Sequence, residues 1–364
     1  MKRLLLIVAG FALLWAARAS GAPLYSENFD SYATRALDKN LAGGANAAPN
    51  GTGNPWFGPS PPNGQVVPSD NGVTPHSGSQ MVRGNFTSNP PDFDQNWLNI
   101  AYRFNGGNPF TGGVIFDWWF YDSLGAGGTA LHDYAALGFY DTAPSNTDYP
   151  GTGSLNAGVQ RVQRLSLGAG DDQNAGFDAN FYQARVAGAM DGYDRGWFNT
   201  LTPRTMGWHH NRIVVGPAQA DGSNTVHFFI DGFNQPTLSH NSVLNYGYNV
   251  LELNSFFGTQ TGYFDDVTFD NVTPGDASLN GTVDFTDLLT LAQHYGQPGD
   301  WEAGDFNGDG TVEFSDLLTL AQHYGQGIQT AGAANRLSAV PEAGVVPFVI
   351  AVLAIARYRR RCSM

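Results

Sequence analysis

The eleven residues DLLTLAQHYGQ stand twice near the end of this 364-residue chain, at 287–297 and again at 316–326. In each copy apolar residues recur at i, i+3, i+4 and i+7: Leu288, Leu291, Ala292 and Tyr295, then Leu317, Leu320, Ala321 and Tyr324. That spacing lines them along one stripe of an α-helix. Gly296 and Gly325 follow as stops, because glycine takes the left-handed conformation in which helices commonly end. Neither stripe can be buried alone, and each copy offers the other a matching surface. The repeat predicts two equivalent helices that bury each other.

Ahead of each helix lies a loop of the form D-x-[SN]-x-[ND]-G-T-V-[DE]-F-[TS]-D, an EF-hand-like calcium loop. A hard cation takes six to eight oxygens, and a twelve-residue loop presents them from positions 1, 3, 5, 7, 9 and 12. In the first loop these are Asp276, Ser278, Asn280, the carbonyl of Thr282, Asp284 through water, and Asp287. In the second they are Asp305, Asn307, Asp309, the carbonyl of Thr311, Glu313 and Asp316. Gly281 and Gly310 occupy position 6, where the backbone turns sharply at positive φ. Val283 and Val312 face inward. The second loop carries the carboxylates Asp305, Asp309, Glu313 and Asp316 against Asp276, Asp284 and Asp287 in the first, and is expected to bind calcium more tightly.

An aspartate at position 12 in place of the EF-hand glutamate, one helix per loop, and the ending D-L-L-x-L-x-x-x-Y-G resemble a type I dockerin over residues 275–326. The resemblance implies two Ca2+ ions and docking on a cohesin or another surface protein, in a family common among polysaccharide-degrading proteins. It also implies that loop positions 10 and 11 select the partner. Here they are Phe285-Thr286 and Phe314-Ser315, which depart from the small polar pair of the well-known cellulosomal type. His294 and His323 fall on the polar sides of the helices, facing solvent or a partner.

Both ends read as targeting segments. MKRLLLIVAGFALLWAARA has a basic start, an apolar run and a small-x-small ending, the pattern of a secretory signal peptide over residues 1–19. After a linker at 327–339, residues 340–364 carry Val340-Pro341-Glu342-Ala343, an apolar stretch and an arginine cluster. This resembles the bacterial PEP-CTERM sorting tail, which implies a short transmembrane helix, sorting machinery of the exosortase type and an exported protein at the cell surface or in extracellular polymer. Here alanine replaces the second proline of the motif. The only cysteine, Cys362, lies beyond the arginines, so the exported body has no disulfide to rely on.

The formal charge is −14, and seven of the basic residues sit in the two terminal segments, so the body is more acidic still. Such a surface repels phosphate backbones and excludes nucleic acid as a partner.

Residues 23–273 form the long first domain. Phrases such as GVIFDWWFYDS, NRIVVGP, TVHFFIDG and GYFDDVTFDNV are short, rich in β-branched and aromatic residues, and separated by Gly/Asn/Pro/Asp clusters. They predict a mainly β chain: a jelly-roll or β-sandwich N-terminal domain followed by a small α-helical, dockerin-like calcium-binding domain. In NTVHFFIDG, Val226, Phe228 and Ile230 alternate with Thr225, His227 and Phe229, as in a half-buried strand. LYSENFDSY, GWHHNRIVV and GYFDDVTFDNV together resemble the concanavalin A-like lectin/glucanase (laminin G-like) sandwich. In that fold the first and last strands are neighbours, so ENFDSY is expected to pair with FDDVTF, and residues 42–80 read as a long loop.

Glucan-hydrolysing relatives of that fold carry an E-x-D-x-x-E strand motif, which is absent; Glu27 and Glu252 are the only glutamates of the domain. Glycosidases use paired carboxylates, but neighbours such as Asp265 and Asp266 point to opposite faces of a regular strand and are read as structural. The adjacent His209 and His210 diverge for the same reason. No catalytic residue is assigned. Carbohydrate or matrix binding is the expectation for the sandwich, with Trp56 and Trp197 the tryptophans expected to be exposed for stacking on sugar rings. A glycoside hydrolase component and a purely structural matrix protein are the alternatives.

Overall fold

In the computed structural model, the described residues run from 23 to 327. Within that span, residues 33–55, 58–63, 85–97, 104–109, 111, 129–132, 141–160, 170–177, 189–193, 218–223, 233–237, 243–246 and 256–260 lie outside the described residues. So do the expected signal peptide and sorting tail.

The first domain is a sandwich of two antiparallel sheets. Sheet A contains β1 (Tyr25–Glu27), β3 (Gly64–Val67), β4 (Met81–Gly84), β6 (Val114–Asp122), β11 (Gly207–Val215), β12 (Asn224–Ile230), β13 (Leu238–Ser242) and β15 (Tyr263–Asn271). Its order is β13-β12-β11-β6-β15-β4-β3, with β1 also on β15. Sheet B runs β10-β9-β8-β7-β14-β5-β2. Its strands are β2 (Trp56–Phe57), β5 (Leu98–Arg103), β7 (Asp133–Tyr140), β8 (Arg161–Gly168), β9 (Phe181–Gly188), β10 (Asp194–Pro203) and β14 (Val250–Ser255). As expected, the first strand pairs with the last, Ser26 opposite Thr268. The stretch 42–80 is not one loop, since it contributes β2 and β3.

Alternation along the strands sends one set of side chains between the sheets. Phe116, Trp118 and Phe120 of β6 and Ile213 and Val215 of β11 share that core with Leu137, Leu165 and Leu253 of sheet B. At one end a polar group is enclosed as well. Arg204 forks onto Asp122 through Nε and Nη2 at 2.9 and 3.1 Å, both side chains fully buried. Asp133 lies near this pair, and burial pushes its carboxyl up to about 8.

β12 is not half-buried: all seven residues are buried. Val226, Phe228 and Ile230 face the inter-sheet core as expected. The other side of sheet A is covered too, at one end by the segment 70–80 and at the other by the C-terminal domain. Phe229, Ile115, Val214 and Val272 form a second apolar cluster that is closed by Leu279 and Trp301. His227 faces Glu302 at 3.6 Å. The alternating pattern gives the direction of these side chains; what lies across the second face is set by residues about fifty to seventy-five positions downstream.

The C-terminal domain holds α1 (Phe285–His294) and α2 (Phe314–His323), joined through a short 3-10 turn, Trp301–Ala303. Leu288, Leu291 and Leu320 are buried, while Tyr324 at the end of the second stripe is 39% exposed. Gly296 and Gly325 end the helices at φ 77 and 79.

Candidate metal centre and docking face

The two loops are built alike. At position 1, Asp276 accepts from the backbone N–H groups of Asn280 and Gly281 at 3.1 and 2.8 Å. Asp305 accepts from those of Asp309 and Gly310 at 3.2 and 2.6 Å. At position 12, Asp287 accepts from the N–H groups of Ser278 and Asp284, and Asp316 from those of Phe306, Asn307 and Glu313. The same aspartates are the third residue of each helix and complete its capping box. Helix start and loop closure therefore depend on one carboxylate. Gly281 and Gly310 take φ 88 and 87, as position 6 requires.

The chemistry of this donor set fits a hard cation. Asp276 and Asp287 are buried close together, and burial, reinforced by the charge of Asp287, pushes Asp276 up to about 7. Repulsion of this kind is relieved by a cation between the carboxylates. Among the described residues no three Asp, Glu, His or Cys side chains converge on one point. The coordination shell would have to draw on the amide, hydroxyl and main-chain oxygens of Ser278, Asn280 and Thr282, and of Asn307 and Thr311, as in an EF-hand-like loop.

The twins differ in their surroundings. Leu279, at position 4 of the first loop, is fully buried against sheet A at φ 53. Arg212 of β11 grips Asp117 of β6 at 2.6 and 2.9 Å and donates its remaining Nη1 to the carbonyl oxygen of Asn280. The Arg212 guanidinium and the imidazole of His210 outweigh burial and hold Asp117 down at about 2. Trp301 donates its indole N–H to the carbonyl of Asp276 at 2.8 Å. In the second loop position 4 is Gly308, exposed, and Asn307, Asp309 and Glu313 are exposed as well. The first loop is thus a fitted part of the sandwich and the second stands in solvent.

Sequence reasoning missed Arg212, Leu279 and Trp301. A signal for one of them was present: leucine at the tip of an otherwise polar loop, where its repeat has glycine. On the solvent side Phe285 and Phe314 are each 64% exposed, with Leu289 at 46%. His294 and His323 donate through Nδ1 to the carbonyls of Thr290 and Thr319, one turn back.

Within the sandwich the expected sugar platform is not formed by Trp197, which is only 9% exposed and packs edge-on against Tyr134. Trp197 stands opposite Arg185 on the face of sheet B away from the core, with the guanidinium 6.0 Å from its ring, while its neighbour Phe198 packs into the core. The side chain of Trp56 lies outside the described residues. Asp265 and Asp266 do not point to opposite faces either. A register shift in β15 and φ 48 at Asp266 swing both carboxylates onto one segment. Asp265 accepts from the N–H groups of His76 and Ser77, and Asp266 from the Ser77 hydroxyl at 2.6 Å, with His76 Nδ1 at 2.6 Å. They hold the cover over sheet A, which is a structural role. His209 and His210 diverge, the first toward Asp231 and the second stacked on Trp119.

Residues 274–324 match the family model of the Dockerin type I domain. This segment is a type I dockerin domain. The dockerin match supports calcium as its ion, and it covers both loops and all of the repeat but its last two residues. A comparison with curated proteins finds no sequence match. Among solved structures, the chain is similar to the endo-β-1,4-glucuronan lyase of the fungus Trichoderma reesei, with 13% identity and a TM-score of 0.38 over 58% of this chain and 88% of that one. It is similar to the carbohydrate esterase vb_24B_21 of a Shiga toxin-encoding bacteriophage phi24B (15%, 0.36, 69% and 98%). It is also similar to the alginate lyase vAL-1 of a Chlorella virus (14%, 0.35, 59% and 92%). Likeness at this level assigns neither a fold family nor an activity.

Proposed function

We propose that this chain is an exported surface protein that docks, in a calcium-dependent way, onto a cohesin-like partner through its dockerin domain. Its sandwich, read as concanavalin A-like, would bind carbohydrate or matrix. Each loop holds one Ca2+ through the residues named for it above, and the terminal segments serve as signal peptide and PEP-CTERM-like sorting tail. The observation that carries the docking reading is the pair Phe285 and Phe314. They are large and apolar, occupy equivalent positions, and are both left open while the opposite side of the first loop is committed to sheet A. Large exposed aromatics at the head of two helices are suited to become anchors at an interface. Among the described residues no helix is long and apolar enough to cross a membrane, and the proposed tail lies outside them.

The test is capture of the full chain on immobilised cohesins and on surface extracts containing them, in calcium and in EDTA, with Phe285→Ala and Phe314→Ala singly and together. Retention in calcium, loss in EDTA and loss in the double variant are expected. Capture that ignores both chelation and the double substitution would sink the reading.

A further inference from the structure

At the end of sheet A remote from the dockerin domain, the outer face opens into a pocket of about 360 Å³. It lies six residues along β6 from Ile115, where the dockerin domain is seated, so the two sites are roughly 20 Å apart at about 3.3 Å per residue. Tyr121 of β6, Tyr263 of β15 and Ser123 line it, with Asn71 and Gly72 on one wall and Met206, 66% exposed, among its lining residues.

The walls are preorganised. Asn71 and Gly72, at φ 50 and 83, form a tight hairpin tip closed by Asp70 and Val73, which exchange backbone hydrogen bonds at 3.0 and 2.8 Å. The Tyr263 hydroxyl donates to Asp70 at 2.9 Å and accepts from the Asn71 amide at 3.2 Å. Tyr121 stands edge-on to both Tyr263 and Trp208, with ring centroids 6.2 and 5.5 Å away. Trp208 is itself fixed by an indole hydrogen bond to the carbonyl of Thr74. An aromatic wall on two strands and a rigid hairpin is the kind of support a binding site needs.

Two features say what would fit. Ser123 is among the lining residues; its hydroxyl is buried and has no hydrogen-bond partner, and because a buried polar group left so is costly, a rotation about its Cα–Cβ bond toward a ligand in the pocket would be favoured. The lining carries no side chain charged at neutral pH; burial pushes the Tyr263 phenol up to about 12, which keeps it neutral, and the nearby Arg83 is spent on Asp70 and Gln65. Aromatic rings beside neutral hydroxyl and amide groups suit an uncharged polyhydroxylated ring, and the volume is at the small end of ligand sites, ~300–1,000 Å³.

We propose that this pocket binds a neutral sugar residue of a glycan. The proposal rests on the carbohydrate reading of the sandwich and names its place and its selectivity. A site without a cation, in an acidic protein, discriminates against uronates.

The test is titration of the calcium-loaded full chain with neutral gluco-, manno- and galacto-oligosaccharides and with uronate oligosaccharides, by calorimetry and ligand-observed NMR. Wild type is compared with Ser123→Ala and Tyr121→Ala. A neutral saccharide is expected to bind, about tenfold more weakly to Tyr121→Ala and several-fold more weakly to Ser123→Ala. Removing an unpartnered hydroxyl leaves folding intact, so Ser123→Ala remains readable if Tyr121→Ala unfolds. Equal binding by Ser123→Ala and wild type overturns the pocket while leaving the sandwich a carbohydrate binder. Tighter binding of uronates overturns the selectivity. Absence of binding across the panel removes the carbohydrate reading itself, and the pocket proposal with it.

Discussion

At the scale of single residues, the same motif letter has different consequences in its two copies. A Cβ on Gly310 would meet nothing within 4 Å, whereas one on Gly281 would lie 2.4 Å from Nη1 of Arg212. That nitrogen is not the loose end of a mobile side chain, because Asp117 holds its guanidinium. Gly310→Ala is therefore expected to cost only the left-handed backbone penalty, about 1–2 kcal/mol, and Gly281→Ala clearly more, as read by chemical denaturation in saturating calcium. Equal costs would mean that the Arg212 contact is slack. Asp133 supports a second prediction. Its carboxyl is buried and its pKa is raised to about 8 in the folded chain, against about 3.9 unfolded. The folded state then holds the extra proton, so stability is full below about pH 4 and declines as pH rises toward 8. Asp133→Asn should match wild type near pH 4 and exceed it at pH 8, and a difference in melting temperature that stays flat with pH would refute this.

At the scale of elements, the decisive contact is a loop tip on a sheet face. Leu279 is buried among Ile115, Val214, Phe229 and Val272, and truncating a leucine so enclosed costs about 2–5 kcal/mol. The expected result for Leu279→Ala is that the dockerin domain melts in a transition of its own, where the wild type in calcium is expected to melt in one cooperative transition. Two separate transitions in the wild type would show that the seat contributes little. Little of this was legible. Helical spacing located α1 and α2 because the stripe is a local property of eleven residues, and β12 was placed with its inward residues correct. Whether Thr225, His227 and Phe229 met water depended on Trp301, Glu302 and Leu279, which no periodicity within the strand encodes. Asp265 and Asp266 mislead for a related reason: alternation assumes a regular strand, and the register shift in β15 removes that premise.

At the scale of the whole molecule, the two loops are alike in form and differ in setting. The second carries more carboxylates and is exposed; the first carries fewer and is part of the wall that covers sheet A. Calorimetric titration should find the larger loss of affinity in Asp316→Ala than in Asp287→Ala. The larger fall in sandwich melting temperature should come from Asp287→Ala, since Asp287 holds the loop that presents Leu279. Equal losses of affinity would overturn the first expectation, and a sandwich indifferent to Asp287→Ala the second. Chelation in wild type should lower the melting temperature of both domains, because an ion bound only by the folded state stabilises whatever is coupled to it.

The amino-acid sequence by itself determined the helices, the candidate ligand positions and the mainly β character of the first domain. In each case the relevant groups are neighbours along the chain: twelve consecutive residues form one loop, and eleven carry one stripe. Tertiary structure alone decided which tryptophans are enclosed, that Asp265 and Asp266 serve the same segment, and that one of two near-identical loops is built into the sandwich. Those outcomes depend on surfaces tens to hundreds of residues apart meeting in three dimensions. Leu279 and Gly308 differ by one side chain, and only a sheet face with a place for leucine makes that difference matter.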